Sequence, residues 1–137
     1  MNRALLYRGL GRNEEAVADM RSALKLDDDQ VTVHLGLGNL LYSLGEKEQA
    51  LEHMDRALEL EPNRPGALMN RGSLRYNEQD YEGALLDFTA LIQVSPKGQA
   101  YYRRGLTLAK LNRPDEAQAD FKQAEAAGMT VPATSVR

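Results

Sequence analysis

The sequence contains no cysteine, which excludes disulfides, thiolate nucleophiles and thiolate metal sites. A chain without thiols survives in oxidising and reducing surroundings alike, so composition leaves the redox compartment open. Histidine is nearly as scarce. His34 and His53 are the only two, 19 residues apart on different segments, and they lack the spacing of a metal-ligand pair. No basic excess exists either: 17 Lys and Arg stand against 20 Asp and Glu, with a pI of about 5.4. Such a balance argues against general affinity for nucleic acid. Nor does any run approach the roughly 18 apolar residues of a membrane span. The pattern described next already includes the first residues, so a signal peptide ahead of it is not expected. A soluble protein follows, with a cytoplasmic location the default expectation.

What the chain does contain is a period. Ala16, Ala50, Ala84 and Ala117 lie 34, 34 and 33 residues apart. Four residues after each comes Met20, Met54, Phe88 or Phe121, and three further on Ala23, Ala57, Leu91 or Ala124. Gly38, Gly72 and Gly105 keep the same register, as do Pro62 and Pro96. A fixed period in this range signals stacked supersecondary units. Four units of 34 would fill 136 of the 137 residues, which leaves no room for a separate catalytic domain.

Each period reads as two amphipathic helices. Val33, Leu37, Leu40, Leu41 and Leu44 recur at close to helical spacing, and Gly45 then supplies the left-handed backbone that ends a helix. A second helix is expected from about Lys47 to Leu60, stopped by Pro62. The third period repeats this near Pro65–Glu78 and Tyr81–Val94, and the fourth near Gln99–Leu111 and Pro114–Ala127. Proline suits the first turn of the last helix. The first period is shorter: a stub at Asn2–Gly9, a turn at Gly11, then a helix over about Asn13–Leu26. Gln79 and Asn112 stand where Gly11 and Gly45 end the earlier helices. A left-handed Gln79 should cost on the order of 1 kcal/mol.

This register resembles the tetratricopeptide repeat family over residues 1 to about 129. The family pattern of a large residue, Leu-Gly and an aromatic, followed by Ala, an aromatic and Pro, is met in the second period by Leu37-Gly38, Leu41, Ala50, Met54, Ala57 and Pro62. Leu68, Gly72, Ala84, Phe88 and Pro96 meet it in the third, and Tyr101, Gly105, Ala117, Phe121 and Ala124 in the fourth. Asp28 replaces the first linker proline. Pentatricopeptide repeats share the period but read single-stranded RNA with a basic groove, and the glycine–alanine–aromatic register with an acidic pI sets them aside. The resemblance implies an all-α fold, a right-handed superhelical solenoid of antiparallel helix pairs with about three and a half to four repeats. One domain, residues 1–129, would hold repeats at about 1–30, 31–64, 65–97 and 98–129, followed by a short tail at 130–137.

The two ends differ. An apolar pair on each second helix, Val17/Leu24, Leu51/Leu58 and Leu85/Ile92, becomes Gln118/Glu125 in the last. A terminal repeat needs a polar outer face, so Gln118 and Glu125 are expected in solvent and the four earlier partners Leu51, Leu58, Leu85 and Ile92 buried. The cropped first repeat should instead leave Leu5, Leu6 and the Ala16/Met20 helix poorly covered.

The resemblance also points to function: a non-enzymatic interaction module that holds a peptide or partner-protein segment in its concave groove. Its lining would be Asn39 and Tyr42 in the second repeat, with Leu35 and Ser43 beside them. Met69, Asn70, Ser73, Tyr76 and Asn77 line it in the third, and Gln99, Tyr102, Arg103, Leu106 and Lys110 in the fourth. Arg71, Arg75, Arg103, Arg104 and Lys110 on the last two first helices face Glu78 alone, while their second helices are acidic. A basic inner surface would steer acidic or carboxylate-ended ligands. Asn39, Asn70 and Arg103 fall where the chaperone-binding branch grips a carboxylate, but Leu35 and Gln99 replace its lysines. The alternative is a structural element that self-associates through the incomplete N-terminal repeat. No cofactor or metal is expected. His34 takes a packing position, His53 is expected to face solvent, and Asp27, Asp28 and Asp29 are expected to cap the helix at Val31. No Ser or Thr has a paired base.

Overall fold

The computed structural model describes the backbone of residues 2–131 and side chains from residue 11 onward. Among the described residues there are seven helices: α1 Asn2–Leu26, α2 Val31–Ser43, α3 Lys47–Leu60, α4 Pro65–Asn77, α5 Tyr81–Val94, α6 Gly98–Lys110 and α7 Pro114–Ala126. The chain divides into two compact units, residues 1–62 and 63–137.

In the first unit α2 and α3 form an antiparallel pair, and α1 packs on α2. Leu37, Leu41, Ala50, Met54 and Ala57 are buried between them. Gly38 is the point of closest approach: a β-carbon there would lie 3.1 Å from Met54 Cγ and 3.2 Å from the Ala50 carbonyl oxygen. The expected turn at Gly11 is not formed, because α1 runs unbroken through it. Adding one residue to an existing helix gains a hydrogen bond for one residue fixed, whereas a new short helix must nucleate again. A short stub therefore extends the helix that follows it. The side chains of Leu5 and Leu6 lie outside the described residues.

In the second unit α4 pairs with α5 and α6 with α7, and α5 joins the pairs by packing on α6. The Phe88 and Phe121 rings fill the space over Gly72 and Gly105. Leu108, Ala117 and Phe121 form the buried centre of the last pair, and Leu85, Tyr102, Leu106, Ala109 and Val131 close on it.

Four helix ends share one cap. Glu46, Asp80, Arg113 and Met129 donate backbone N–H bonds to the carbonyls of Leu41, Arg75, Leu108 and Ala124, the six-to-one bond of the Schellman motif. The left-handed residue of each is Gly45, Gln79, Asn112 or Gly128, with φ between 60° and 96°. Both non-glycine stops thus adopt the conformation expected of them. The aspartates at 27–29 do not cap α2, whose N-cap is Gln30 with no side-chain bond. Gln30 Nε2 instead donates to the carbonyls of Ala23 and Asp27 at the end of α1. Asp28 and Asp29 accept from Arg56 at 3.2 and 3.0 Å.

The end of the chain matches the cap reading only in part. Leu58 and Ile92 are buried and Glu125 is exposed, but Leu51, Leu85 and Gln118 are all half-buried. Residues just past α7 are not a bare tail. Met129 lies against Gly98, and Val131 packs on the Phe121 cluster, so part of the last pair's apolar surface is covered by its own chain.

Candidate functional site

The residues expected to line a groove divide between the units. Asn39 is exposed and Tyr42 half-buried on α2. The rest belong to α4 and α6, which meet within the second unit. Met69, Asn70, Ser73 and Tyr76 are half-buried and Asn77 exposed on α4, while on α6 Gln99 and Lys110 are exposed. Tyr102, Arg103 and Leu106 are half-buried, and Tyr102 and Leu106 are engaged with the Phe121 core as well as with the surface.

Tyr76 is the centre of this group. Its ring meets Tyr81 edge-on at 5.3 Å, and Tyr102 lies 5.9 Å from Phe121. Burial pushes the Tyr76 hydroxyl above its usual range, the Tyr81 and Tyr102 hydroxyls add to this, and the Arg103 charge pulls the other way. Tyr102 and Arg103 therefore each lie within electrostatic reach of Tyr76. Arg103 Nε is buried with no hydrogen-bond partner among the described residues, an unusual state for an N–H donor in a folded chain.

The positive field is smaller than the sequence count suggests. Arg71 grips Asp87 with Nε and a terminal nitrogen, at 2.7 Å for the shortest contact, and Arg75 reaches the same carboxylate at 3.1 Å. Arg104 grips Asp120 in the same two-pronged way at 2.7 and 2.8 Å, and this hydrogen bonding holds it even more firmly protonated. Asp87 and Asp120 are buried. Three of the five expected inner cations thus lock helix pairs together. The signal was in the sequence, since both pairs are 16 residues apart at equivalent points of the period.

Two further features lie outside the expected groove. A cleft of about 520 Å³ in the first unit is lined by Val17, Arg21, Leu41, Glu46 and Gln49, among others. A second of about 330 Å³ is lined by Leu85, Thr89, Leu108, Arg113 and Glu116, which stand in the same register two periods on. Neither is lined by a residue of the expected groove, so these two clefts and the tyrosine–arginine cluster are distinct places. The other feature is the meeting of His34 and His53, whose rings lie 5.3 Å apart. His34 is buried as expected, but His53 is half-buried rather than solvent-facing.

No described helix is long and apolar enough to cross a membrane. The helix pairs, their glycine–aromatic contacts and their repeated caps define a helical-repeat protein. Sequence comparison agrees: a tetratricopeptide-repeat family profile matches residues 1–67 and 69–132. The chain belongs to the tetratricopeptide repeat family, an all-α fold of protein-interaction scaffolds. Among solved structures it resembles YrrB, described as a TPR protein with an unusual peptide-binding site, at 25% identity and a TM-score of 0.72. That match covers 80% of this chain and 57% of YrrB. MamA from Desulfovibrio magneticus matches at 23% identity and a TM-score of 0.80, over 92% of this chain and 73% of its own. A tetratricopeptide repeat protein from Parabacteroides merdae matches at 24% and 0.82, over 95% and 53%. No curated protein matches the sequence.

Proposed function

We propose that the surface of α4 and α6 binds an extended peptide or partner-protein segment that ends in, or carries, a carboxylate. The observation that carries this reading is the buried, unpartnered Arg103 Nε beside Tyr76 and Tyr102. A carboxylate would satisfy that donor with a charge-assisted bond, and the two tyrosines would supply rigid contact area with a polar tip. The peptide-binding site described for YrrB supports a peptide as the kind of ligand. Asn70, Ser73 and Asn77 would hydrogen-bond the peptide backbone, and Gln99 and Lys110 would flank it. The test is fluorescence anisotropy with an acidic peptide bearing a free C-terminus, its amidated form and a basic peptide. The free acid should bind best and weaken as salt rises. Equal affinity for the wild type and Arg103→Glu would place the site elsewhere.

One observation favours a second reading, self-association through α1. Ala50, Ala84 and Ala117 are at most 1% exposed, as are Met54, Phe88 and Phe121. Their counterparts Ala16 and Met20 are only half-buried, and among the described residues no separate first helix packs over them. A second copy could cover that face. Light scattering separates the readings: a mass of 15.2 kDa at all concentrations removes the second. So would amides from Ala4 to Leu24 in the monomer exchanging as slowly as those from Leu35 to Leu58.

A further inference from the structure

His34 sits in the first turn of α2 and is 2% exposed. Its Nε2 lies 2.8 Å from the Asp28 carbonyl oxygen, and its Nδ1 lies 3.1 Å from Nδ1 of His53 on α3. A carbonyl only accepts, so His34 carries its proton on Nε2 and presents a lone pair at Nδ1. His53 must then donate from Nδ1. The two rings therefore fix each other's tautomers through one N–H···N bond that joins α2 to α3.

Charges surround the pair from every packed element. Arg21 comes from α1, with its guanidinium donating to Gln49 Oε1. The Asp28 carboxylate lies 3.5 Å from His34 Nε2 and is itself held by Arg56. Glu52 precedes His53 on α3. Burial lowers the basicity of His53 most, then His34 and Arg21, while Glu52 and Asp28 oppose them.

We propose that His34 and His53 form a proton-operated latch holding the 27–30 turn and α2 onto α3. The latch is closed when both rings are neutral. It stays closed with one added proton, because that proton can sit on His53 Nε2 or pass into the bridge, and either way one Nδ1 donates and the other accepts. A second added proton opens it. Both Nδ1 atoms would then be donors 3.1 Å apart on two cations, one of them on a ring that is 2% exposed. His53, the half-buried partner, swings out, and α2 loses its polar tie to α3. The sequence has only these two histidines, so any histidine-linked pH dependence belongs to this pair.

The experiment pairs long-range proton–nitrogen NMR of the full chain with urea unfolding from pH 7.5 to 5. At pH 7.5 His34 should appear as the Nε2–H tautomer and His53 as Nδ1–H, the form less favoured by a free imidazole. The wild-type unfolding constant should rise by about tenfold per pH unit for each proton the folded pair refuses. His53→Gln gives His34 a neutral partner whose amide can turn from N–H donor to Oε1 acceptor. The folded variant can then take up the proton of its one histidine, so its rise should be markedly shallower. His53 found as Nε2–H at pH 7.5, or parallel pH profiles for wild type and His53→Gln, overturns the latch. Should the variant fail to fold, the wild-type tautomers alone decide between these outcomes.

Discussion

The Phe88 ring lies so close over Gly72 that a β-carbon on that glycine would be 2.7 Å from Phe88 Cε1. Phe121 stands in the same relation to Gly105, at 2.6 Å. Both rings are fully buried, so neither can turn aside into solvent. Gly72→Ala should cost roughly 1–3 kcal/mol, the usual range for overpacking. Gly66, with nothing within 4 Å of its β-position, is the control, because alanine there should gain up to about 1 kcal/mol in helix propensity. Urea unfolding of the two variants would show opposite signs; a neutral Gly72→Ala would mean the pair can spread without penalty.

The cap at Gln79 offers a gain. Its φ of 66° places a long side chain in a conformation that costs about 1 kcal/mol or more outside glycine. Gln79→Gly should raise stability by up to about that amount, measured as a higher unfolding midpoint at unchanged slope. Asn112→Gly should gain less, since asparagine tolerates the left-handed region.

Asp87 accepts from two arginines while 2% exposed. Asp87→Ala would take from the half-buried Arg71 and Arg75 the carboxylate they share and should cost about 3–5 kcal/mol. Replacing Glu125, exposed near the end of α7, should change stability by no more than about 0.5 kcal/mol. Similar losses for the two substitutions would remove the ion pair's structural role.

Acid should weaken the fold through His53. Its folded basicity is depressed below the ordinary value of 6.5, so the unfolded chain takes up the proton first. The histidine's contribution is thus complete above about pH 6.5 and is lost as pH falls towards the lower folded value. The slope is at most about 1.4 kcal/mol per pH unit for one proton. Thermal midpoints at pH 7.5, 6.5 and 5.5 test the direction, and a protein more stable at 5.5 than at 7.5 would reverse the sign.

Much of this fold is legible in the sequence because its main determinants are steric and periodic. Glycine under a ring, alanine between helices and a left-handed stop are each written at one position and repeated. Charge is harder to read. Arg71 counted as an inner cation until its distance to Asp87 was known, because a sequence gives sign without direction. His53 shows why register matters: it occupies the place that Asp87 and Asp120 hold in later periods. Leu37 stands where those periods have Arg71 and Arg104. With no arginine to meet, the polar position found His34 instead. The continuous α1 was hidden for another reason. A turn signal such as Gly11 permits a bend but cannot supply the partner helix that makes bending worthwhile.

The forked contacts of Arg71 on Asp87 and Arg104 on Asp120 also have a geometric consequence. A phenylalanine ring seated over a glycine already resists sliding of one helix along its neighbour, since the ring would ride up on the next side chain. Two parallel N–H···O bonds add to that resistance, since displacement by one residue's rise of about 1.5 Å would separate both prongs at once. The fork acts as a detent, fixing the sliding position that the ring and the glycine also mark. Each of these helix pairs carries its own, so an error of alignment in one need not be passed along the chain to the next.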